Sequence, residues 1–329
     1  MPLPSYFRLQ DGQKIPSIGF GTWAAGVDDR KWCIKATLDA LEAGYRHIDG
    51  AWHYGVDREI GEAIRTSGIP REEIWVTTKF WPNFHAPGNV AKSLDWTLKE
   101  SGLDYVDLYL IHWPIAFEPN GDLSHIDPSD PTQSEAELGV KVHEGTDRPI
   151  VTDLNLVATW RAMEALVDAG KVRSIGVSNF STKHLNELLP HARIPVAVNQ
   201  VEAHPWLPNT ELLNYCREHG ILLQAYSPFA GQNKTGETLV RDKAVVSLAE
   251  KNGMGVGALL LSWAVQRGTN PIGKSGTLER IKSNFLETTQ LSDEVMTALD
   301  ALKRPFGKGR SIDFEQEWGV KLFERTEMM

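Results

Sequence analysis

Cysteine is scarce in this chain of 329 residues: Cys33 and Cys216 are the only two. Each falls in a stretch of helical periodicity, with no CxxC spacing and no disulfide framework. Both are therefore expected to be reduced, partly buried thiols, and the compartment cytoplasmic. Long apolar runs are missing as well. None approaches the roughly 18 to 20 residues of a membrane span, and no charged leader precedes an apolar signal core, so no membrane association is expected. Basic clusters are the third absence. Lys and Arg number 34 against 43 Asp and Glu, a formal net charge of −9, and the cations are scattered. That distribution excludes the electrostatic footprint of a nucleic-acid or anionic-membrane binder. The expected partner is a small molecule, and with nothing marking a subunit interface a monomer is expected. Asn179-Phe180-Ser181 and Asn233-Lys234-Thr235 match the glycosylation triplet, but without a secretory route both are expected to be chance.

What is present is a rhythm. Two alternating runs flank Asp11-Gly12, a strong short hairpin signal, which places a β-hairpin ahead of the main fold. Strands are then expected at 17–21, 46–49, 74–79, 106–112, 172–177, 197–200 and 221–225, with a short one around Pro271 and Ile272. Helices of period 3.6 fall between them at 29–43, 57–65, 88–101, 154–169, 182–189, 210–219, twice within 242–266, and at 278–286 and 293–302. Eight short apolar strands alternating with helices predict one closed (β/α)8 TIM barrel over residues 1–329, capped by the hairpin. Three stretches break the rhythm: 115–153, rich in Pro, Asp, Ser and Gly; the loop 230–236; and a tail after 304 with scattered aromatics. A connection as long as 115–153 is expected to be an unstructured lid or binding loop, and the tail's aromatics are expected to pack across the barrel mouth.

No dinucleotide fingerprint of the GxGxxG kind is present, because the third glycine after Gly19 and Gly21 comes too late. A different phosphate site is offered by Pro271-Ile272-Gly273-Lys274-Ser275-Gly276-Thr277-Leu278-Glu279-Arg280, where the last strand runs into a helix and Lys274 and Arg280 add charge. No His-x-His pair ends a strand, so no metal is expected.

Four residues fall at or just past the ends of consecutive strands: Asp49, Tyr54, Lys79 and His112. In a barrel they converge at the C-terminal face. A phenol with a reference pKa of about 10 is protonated at neutral pH and can give its proton to a developing alkoxide. A neighbouring ammonium is expected to lower that pKa toward neutrality, a carboxylate to balance the buried ammonium, and an imidazole to orient a carbonyl oxygen. Lys79 alone also suits a Schiff-base lyase. Trp23, Trp52, Trp81 and Trp113 each follow a strand end, which predicts an aromatic-walled pocket.

With these residues placed, the chain resembles the aldo-keto reductases. The likeness rests on Gly21-Thr22-Trp23, Arg46-His47-Ile48-Asp49, Tyr54-Gly55, Val76-Thr77-Thr78-Lys79, Asp107 through Pro114, Gly176-Val177-Ser178-Asn179-Phe180, Asn199-Gln200-Val201-Glu202, Ala225-Tyr226-Ser227-Pro228 and Lys274-Ser275. It covers nearly the whole chain in order. The 115–153 insertion and Trp318-Gly319-Val320 are similar to fungal aldehyde, aldose and glycerol-oxidising members. The resemblance implies NADPH, with NADH weaker, and reversible reduction of small aldehydes such as hydroxyaldehydes and aldoses. It implies Tyr54 as general acid/base, tuned by Lys79 and Asp49, with His112 orienting the carbonyl. Around the cofactor it implies Gly21, Thr22 and Trp23; Ser178, Asn179 and Gln200 at the carboxamide; Tyr226 stacked on the nicotinamide; Ser227 along the pyrophosphate; Lys274, Ser275 and Arg280 at the 2′-phosphate; and Asn284 at the adenine. Gly50, where relatives carry Thr or Cys, is expected to loosen the turn bearing Tyr54. Val56 and Asp57, Gly273 and Ser283 also depart from the family pattern. His53, beside the tyrosine, would be a polar wall where many members of the family are apolar. A nucleotide-sensing member of the same fold is the alternative outside catalysis.

Overall fold

The computed structural model describes residues 2–23, 30–130, 132–231, 236–305 and 307–323. The expected helix start at 29, most of the loop 230–236, the second glycosylation triplet and Phe306 lie outside the described residues. Strands β1 (Tyr6–Arg8) and β2 (Lys14–Pro16) form the expected hairpin, with Phe7 opposite Ile15. The Leu9 amide donates to the Gln13 carbonyl at 2.9 Å and Gly12 sits at φ 89°, so the turn is a three-residue loop closed by a left-handed glycine.

The wall begins with β3 (Gly19–Gly21), β4 (His47–Asp49), β5 (Trp75–Phe80) and β6 (Val106–Ile111). After an antiparallel excursion through β7 (Ala116–Phe117) and β8 (Val151–Thr152), it continues with β9 (Val172–Ser178), β10 (Val198–Glu202), β11 (Leu222–Tyr226) and β12 (Asn270–Gly273). The eight wall strands are parallel and β12 pairs back onto β3, which closes the predicted barrel. Every residue of β5 and β6 is buried, because helices cover the outer face and side chains fill the inner one. Helices α1 (Arg30–Ala43), α2 (Asp57–Ser67), α3 (Pro87–Ser101), α4 (Leu156–Asp168), α5 (Thr182–Leu188) and α6 (Thr210–Glu218) alternate with the strands. The series ends with α7 (Lys243–Lys251), α8 (Val256–Gln266), α9 (Leu278–Leu286), α10 (Asp293–Asp300) and a short α11 (Glu315–Trp318). Among the described residues no single helix is long and apolar enough to cross a membrane. Cys33 in α1 and Cys216 in α6 are fully rather than partly buried, and burial pushes each thiol up to about 12.

The hairpin seals the barrel floor. Leu9 and Ile15 pack with Trp75, Leu108, Leu110, Ala197 and Val198, and burial of each such aliphatic side chain contributes about 1.5–3 kcal/mol. Above this layer a line of side-chain amides crosses the interior. Gln200 Nε2 donates to Asp49 Oδ2 at 2.8 Å and to Gln224 Oε1 at 2.9 Å. Gln224 Nε2 donates to Asn270 Oδ1 at 2.7 Å, and Asn270 Nδ2 to the Pro16 carbonyl at 2.9 Å.

The insertion departs from expectation: it is folded. Beyond the β7–β8 pair it carries isolated bridges Pro119 to Val140 and Val142 to Pro149, and it buries Leu123, Leu138 and Val140. Pairings this short, separated by turns, leave no periodicity for sequence inspection to find. Along the tail, Trp318 of α11 packs edge-on against Trp81, Trp113 and Phe117 and stacks on Phe314.

Candidate functional site

Asp49, Lys79 and His112 stand at the C-terminal ends of β4, β5 and β6, and Tyr54 ends a single 3-10 turn, Trp52–Tyr54, just beyond β4. The structure brings all four together. Lys79 Nζ donates to Asp49 Oδ1 at 2.6 Å and to the Gly50 carbonyl at 2.8 Å, and lies 5.1 Å from the Tyr54 ring centre. The His112 ring meets Tyr54 edge-on at 5.8 Å. Gly50 does not loosen this turn. Its amide donates to the Thr77 carbonyl at 2.8 Å while its carbonyl takes Lys79, so both peptide groups are pinned. A Cβ there would lie 2.9 Å from Ile60 Cδ1, a contact that a small shift of that side-chain end relieves.

Burial sets the charge states. Desolvation draws the Lys79 ammonium below its usual range, and the Asp49 carboxylate partly restores it. His112 is held neutral, well below its ordinary value, by burial first and by the Lys79 charge second. The phenol corrects an expectation: burial and then the Asp49 charge push Tyr54 up, where Lys79 was expected to bring it down. Desolvation is the larger cause, and Asp49, paired with Lys79 at 2.6 Å, adds a second push in the same direction. His47, below the site, bonds Thr77 Oγ1 at 3.0 Å and is structural.

The tryptophans divide. Trp81 meets His112 edge-on at 5.3 Å and lies flat on His53 at 3.7 Å; Trp113 stacks beside His112 at 6.4 Å. Trp52 was expected in the same wall and is not there. It is fully buried, packed on Phe84 and on Trp96 of α3, because the 3-10 turn directs it outward between helices. Trp23 is 49% exposed, with Lys274 over its ring.

Toward β9, β11 and β12 the other expected residues follow. Ser178 Oγ donates to the Gln200 carbonyl at 2.8 Å. Asn179, in the left-handed region at φ 63°, donates to the His112 carbonyl at 3.0 Å and accepts from Tyr226 Oη at 2.9 Å. Ser227 and Ala230 are left-handed too, and such strained residues gather at ligand sites. Lys274 lies between the indoles of Trp23 and Trp32. Ser275 Oγ accepts from the Thr277 amide at 3.2 Å, and the exposed Arg280 reaches Thr277 Oγ1 at 2.7 Å. Asn284 is buried against Gly257. Gly21 and Thr22 are buried under the rim, and Thr22 Oγ1 donates to the Asp49 carbonyl at 2.9 Å, tying β3 to β4.

Several residues around the mouth were given no role in the sequence reading. Glu202, wholly buried at the end of β10, accepts from His204, from the Ser311 amide and hydroxyl, and from the Ile312 amide. Burial opposes its charge, yet these bonds hold the carboxyl below its ordinary value. Arg148 of the insertion donates to the Trp318 and Gly319 carbonyls at 3.3 and 3.0 Å. Trp32 beside Lys274 and Glu135 beside Trp81 were missed as well.

Comparison with known proteins agrees with this geometry. The aldo/keto reductase family model matches residues 17–304. The chain is 41% identical to the D-galacturonate reductase of Hypocrea jecorina over 298 residues, 89% of either chain. It is 40% identical to a glycerol 2-dehydrogenase (NADP(+)) of Saccharomyces cerevisiae, over 92% of each. The aldose reductase of Schistosoma japonicum superposes with a TM-score of 0.82 at 31% identity, covering 99% of this chain and 100% of that one. The chain belongs to the aldo/keto reductase family and is an NAD(P)H-dependent oxidoreductase acting on carbonyl groups.

Proposed function

We propose that the protein reduces small hydroxylated aldehydes with NADPH, reversibly, with Tyr54 as the proton donor. The observation that carries this is the buried Lys79–Asp49 pair, 2.6 Å long, beneath a phenol and a neutral imidazole at one barrel mouth. One relative's name adds support, since glycerol is polyhydroxylated and that name specifies NADP(+).

The residues around the mouth fit a nicotinamide dinucleotide. Asn179 and Tyr226 form a polar face at one end, and the cations Lys274 and Arg280 stand at the other, by the first turn of α9. Ser178, Asn179 and Gln200 would hold the carboxamide, Tyr226 would stack, Ser227 would lie along the pyrophosphate, and Asn284 would face the adenine. Lys274, Ser275 and Arg280 would take the 2′-phosphate. Two charge-assisted contacts of about 1.5–3 kcal/mol each bound the preference over NADH at about 10²- to 10⁴-fold. Gly21 and Thr22 support this rim from beneath.

When bound, the reduced nicotinamide supplies a hydride. The protein's residues do the rest. His112 Nε2 orients the carbonyl oxygen, and Tyr54 gives its proton to that oxygen as the carbon gains hydrogen, leaving an alcohol and a phenolate. The raised phenol keeps that proton in hand throughout the neutral range. Lys79, at the ring face, then stabilises the phenolate until solvent reprotonates it, while Asp49 keeps the buried ammonium paired. A Schiff-base lyase is disfavoured, because Lys79 is fully buried with donors engaged by Asp49 and Gly50. The intact tetrad likewise disfavours a purely sensing role.

Purified protein should oxidise NADPH, and NADH more slowly, with glyceraldehyde, xylose or an aromatic aldehyde, and should reduce NADP with glycerol. Inactivity in every combination would sink the proposal.

A further inference from the structure

One carboxylate at the mouth has no part in the chemistry above. Glu135 belongs to the folded insertion and is fixed there by both peptide groups: its amide donates to Asp147 Oδ1 at 2.9 Å, and its carbonyl accepts from the Val140 amide at 3.0 Å. Its side chain crosses to the site, where Oε2 accepts from Trp81 Nε1 at 3.1 Å. Trp81 in turn lies flat on His53 and edge-on to His112, so Glu135 stands one indole away from the imidazole that faces the carbonyl. Among the described residues no cation pairs with Glu135, and Oε1 has no protein hydrogen bond. Burial, together with the nearby Asp147, pushes the carboxyl up to about 7.

Support for Trp81 does not account for a charge here. An indole N–H needs one acceptor, which an amide oxygen supplies without the desolvation cost of an unpaired carboxylate. The charge is useful for selecting a ligand. Above about pH 7, where it is ionised, a carboxylate with an open oxygen accepts strongly from hydroxyl groups and repels another anion in a partly dehydrated mouth, and substrates are therefore compared at about pH 8.5.

Resting on the aldehyde-reductase reading of the same site, we propose that Glu135 is a specificity-determining residue. Its carboxylate accepts a hydrogen bond from a hydroxyl of a neutral hydroxyaldehyde and disfavours aldehydes that carry a carboxylate at that end.

The test is a comparison of kcat/KM, with NADPH, for glyceraldehyde, butanal and 4-oxobutanoate in the wild type and in Glu135→Gln, which keeps an acceptor for Trp81 Nε1. The substitution should raise the 4-oxobutanoate-to-butanal ratio by about tenfold and lower the glyceraldehyde-to-butanal ratio severalfold, mainly through KM. Ratios within twofold of wild type, whatever the absolute rates, would reduce Glu135 to a prop for Trp81. The wild type provides a second measurement that needs no variant: it should prefer butanal to 4-oxobutanoate by at least about tenfold, and equal use of the two overturns the assignment. Turnover of none of the three would overturn the aldehyde reading itself, an outcome distinct from turnover with unaltered ratios.

Discussion

The reacting groups and the cover above them are built on different principles. Asp49, Lys79 and His112 are carried by wall strands or their ends, with Tyr54 on a turn that follows the pinned Gly50, and their partners lie on neighbouring strands. The cover, made of the insertion and the tail, is joined by a few long-range ties: Arg148 to Trp318 and Gly319, Glu202 to Ser311 and Ile312, and Glu135 to Trp81. A site on rigid elements holds geometry for chemistry, whereas a cover on loops can vary to choose substrates.

The largest expected effect lies in the strand-borne set. Tyr54→Phe should lower the reduction rate about 10²- to 10⁴-fold while quenching of tryptophan fluorescence by NADPH persists, and equal loss of binding would break the assignment. Next is Lys79→Met. It leaves the Asp49 carboxylate buried and unpaired, so the folded protein should lose about 3–5 kcal/mol in denaturant unfolding, and adding Asp49→Asn should recover part of it.

The cover should respond differently. Glu202→Gln should expose the segment around Ser311 to proteolysis and raise KM, with a global stability loss of about 1.5–3 kcal/mol at most, in line with hydrogen bonds to a charged group. A collapse as large as that of Lys79→Met would erase the contrast between the two regions.

The smallest effect concerns Asp57, at the start of α2 just after the Tyr54 turn, where burial pushes the carboxyl up to about 8. Its folded value is raised, so stability is full below the ordinary carboxylate range and falls as pH climbs from there toward about 8. Asp57→Asn should therefore raise Tm by a few degrees more at pH 8 than at pH 5, and an equal shift at both would count against the burial of this charge.

The strand-borne set was legible in sequence because a charged or polar residue closing an apolar run is a local signal. So was the alternation that gives eight strands, and so was the hairpin. The cover was not. Arg148 meets Gly319 across 171 residues and Glu202 meets Ser311 across 109, and nothing local pairs them. Trp52 failed for a related reason: position after a strand end does not fix direction, and one 3-10 turn sends it into the α3 interface while its neighbour His53 faces Trp81. The direction of the Tyr54 shift was not legible, because proximity to Lys79 shows in the sequence while the depth of burial that outweighs it does not.

The amide line across the interior runs one way. The Pro16 carbonyl at one end can only accept, so Asn270 must turn its NH₂ toward it, Gln224 must turn its own toward Asn270, and Gln200 must give both hydrogens to Gln224 and Asp49. Gln200 then meets any ligand solely as an acceptor. The polarity of that contact is dictated from the hairpin end of the barrel, and a single amide-to-acid exchange at Asn270 would set an acceptor against the Pro16 carbonyl and cut the line from the hairpin, while the Gln224 and Gln200 links above it keep their direction.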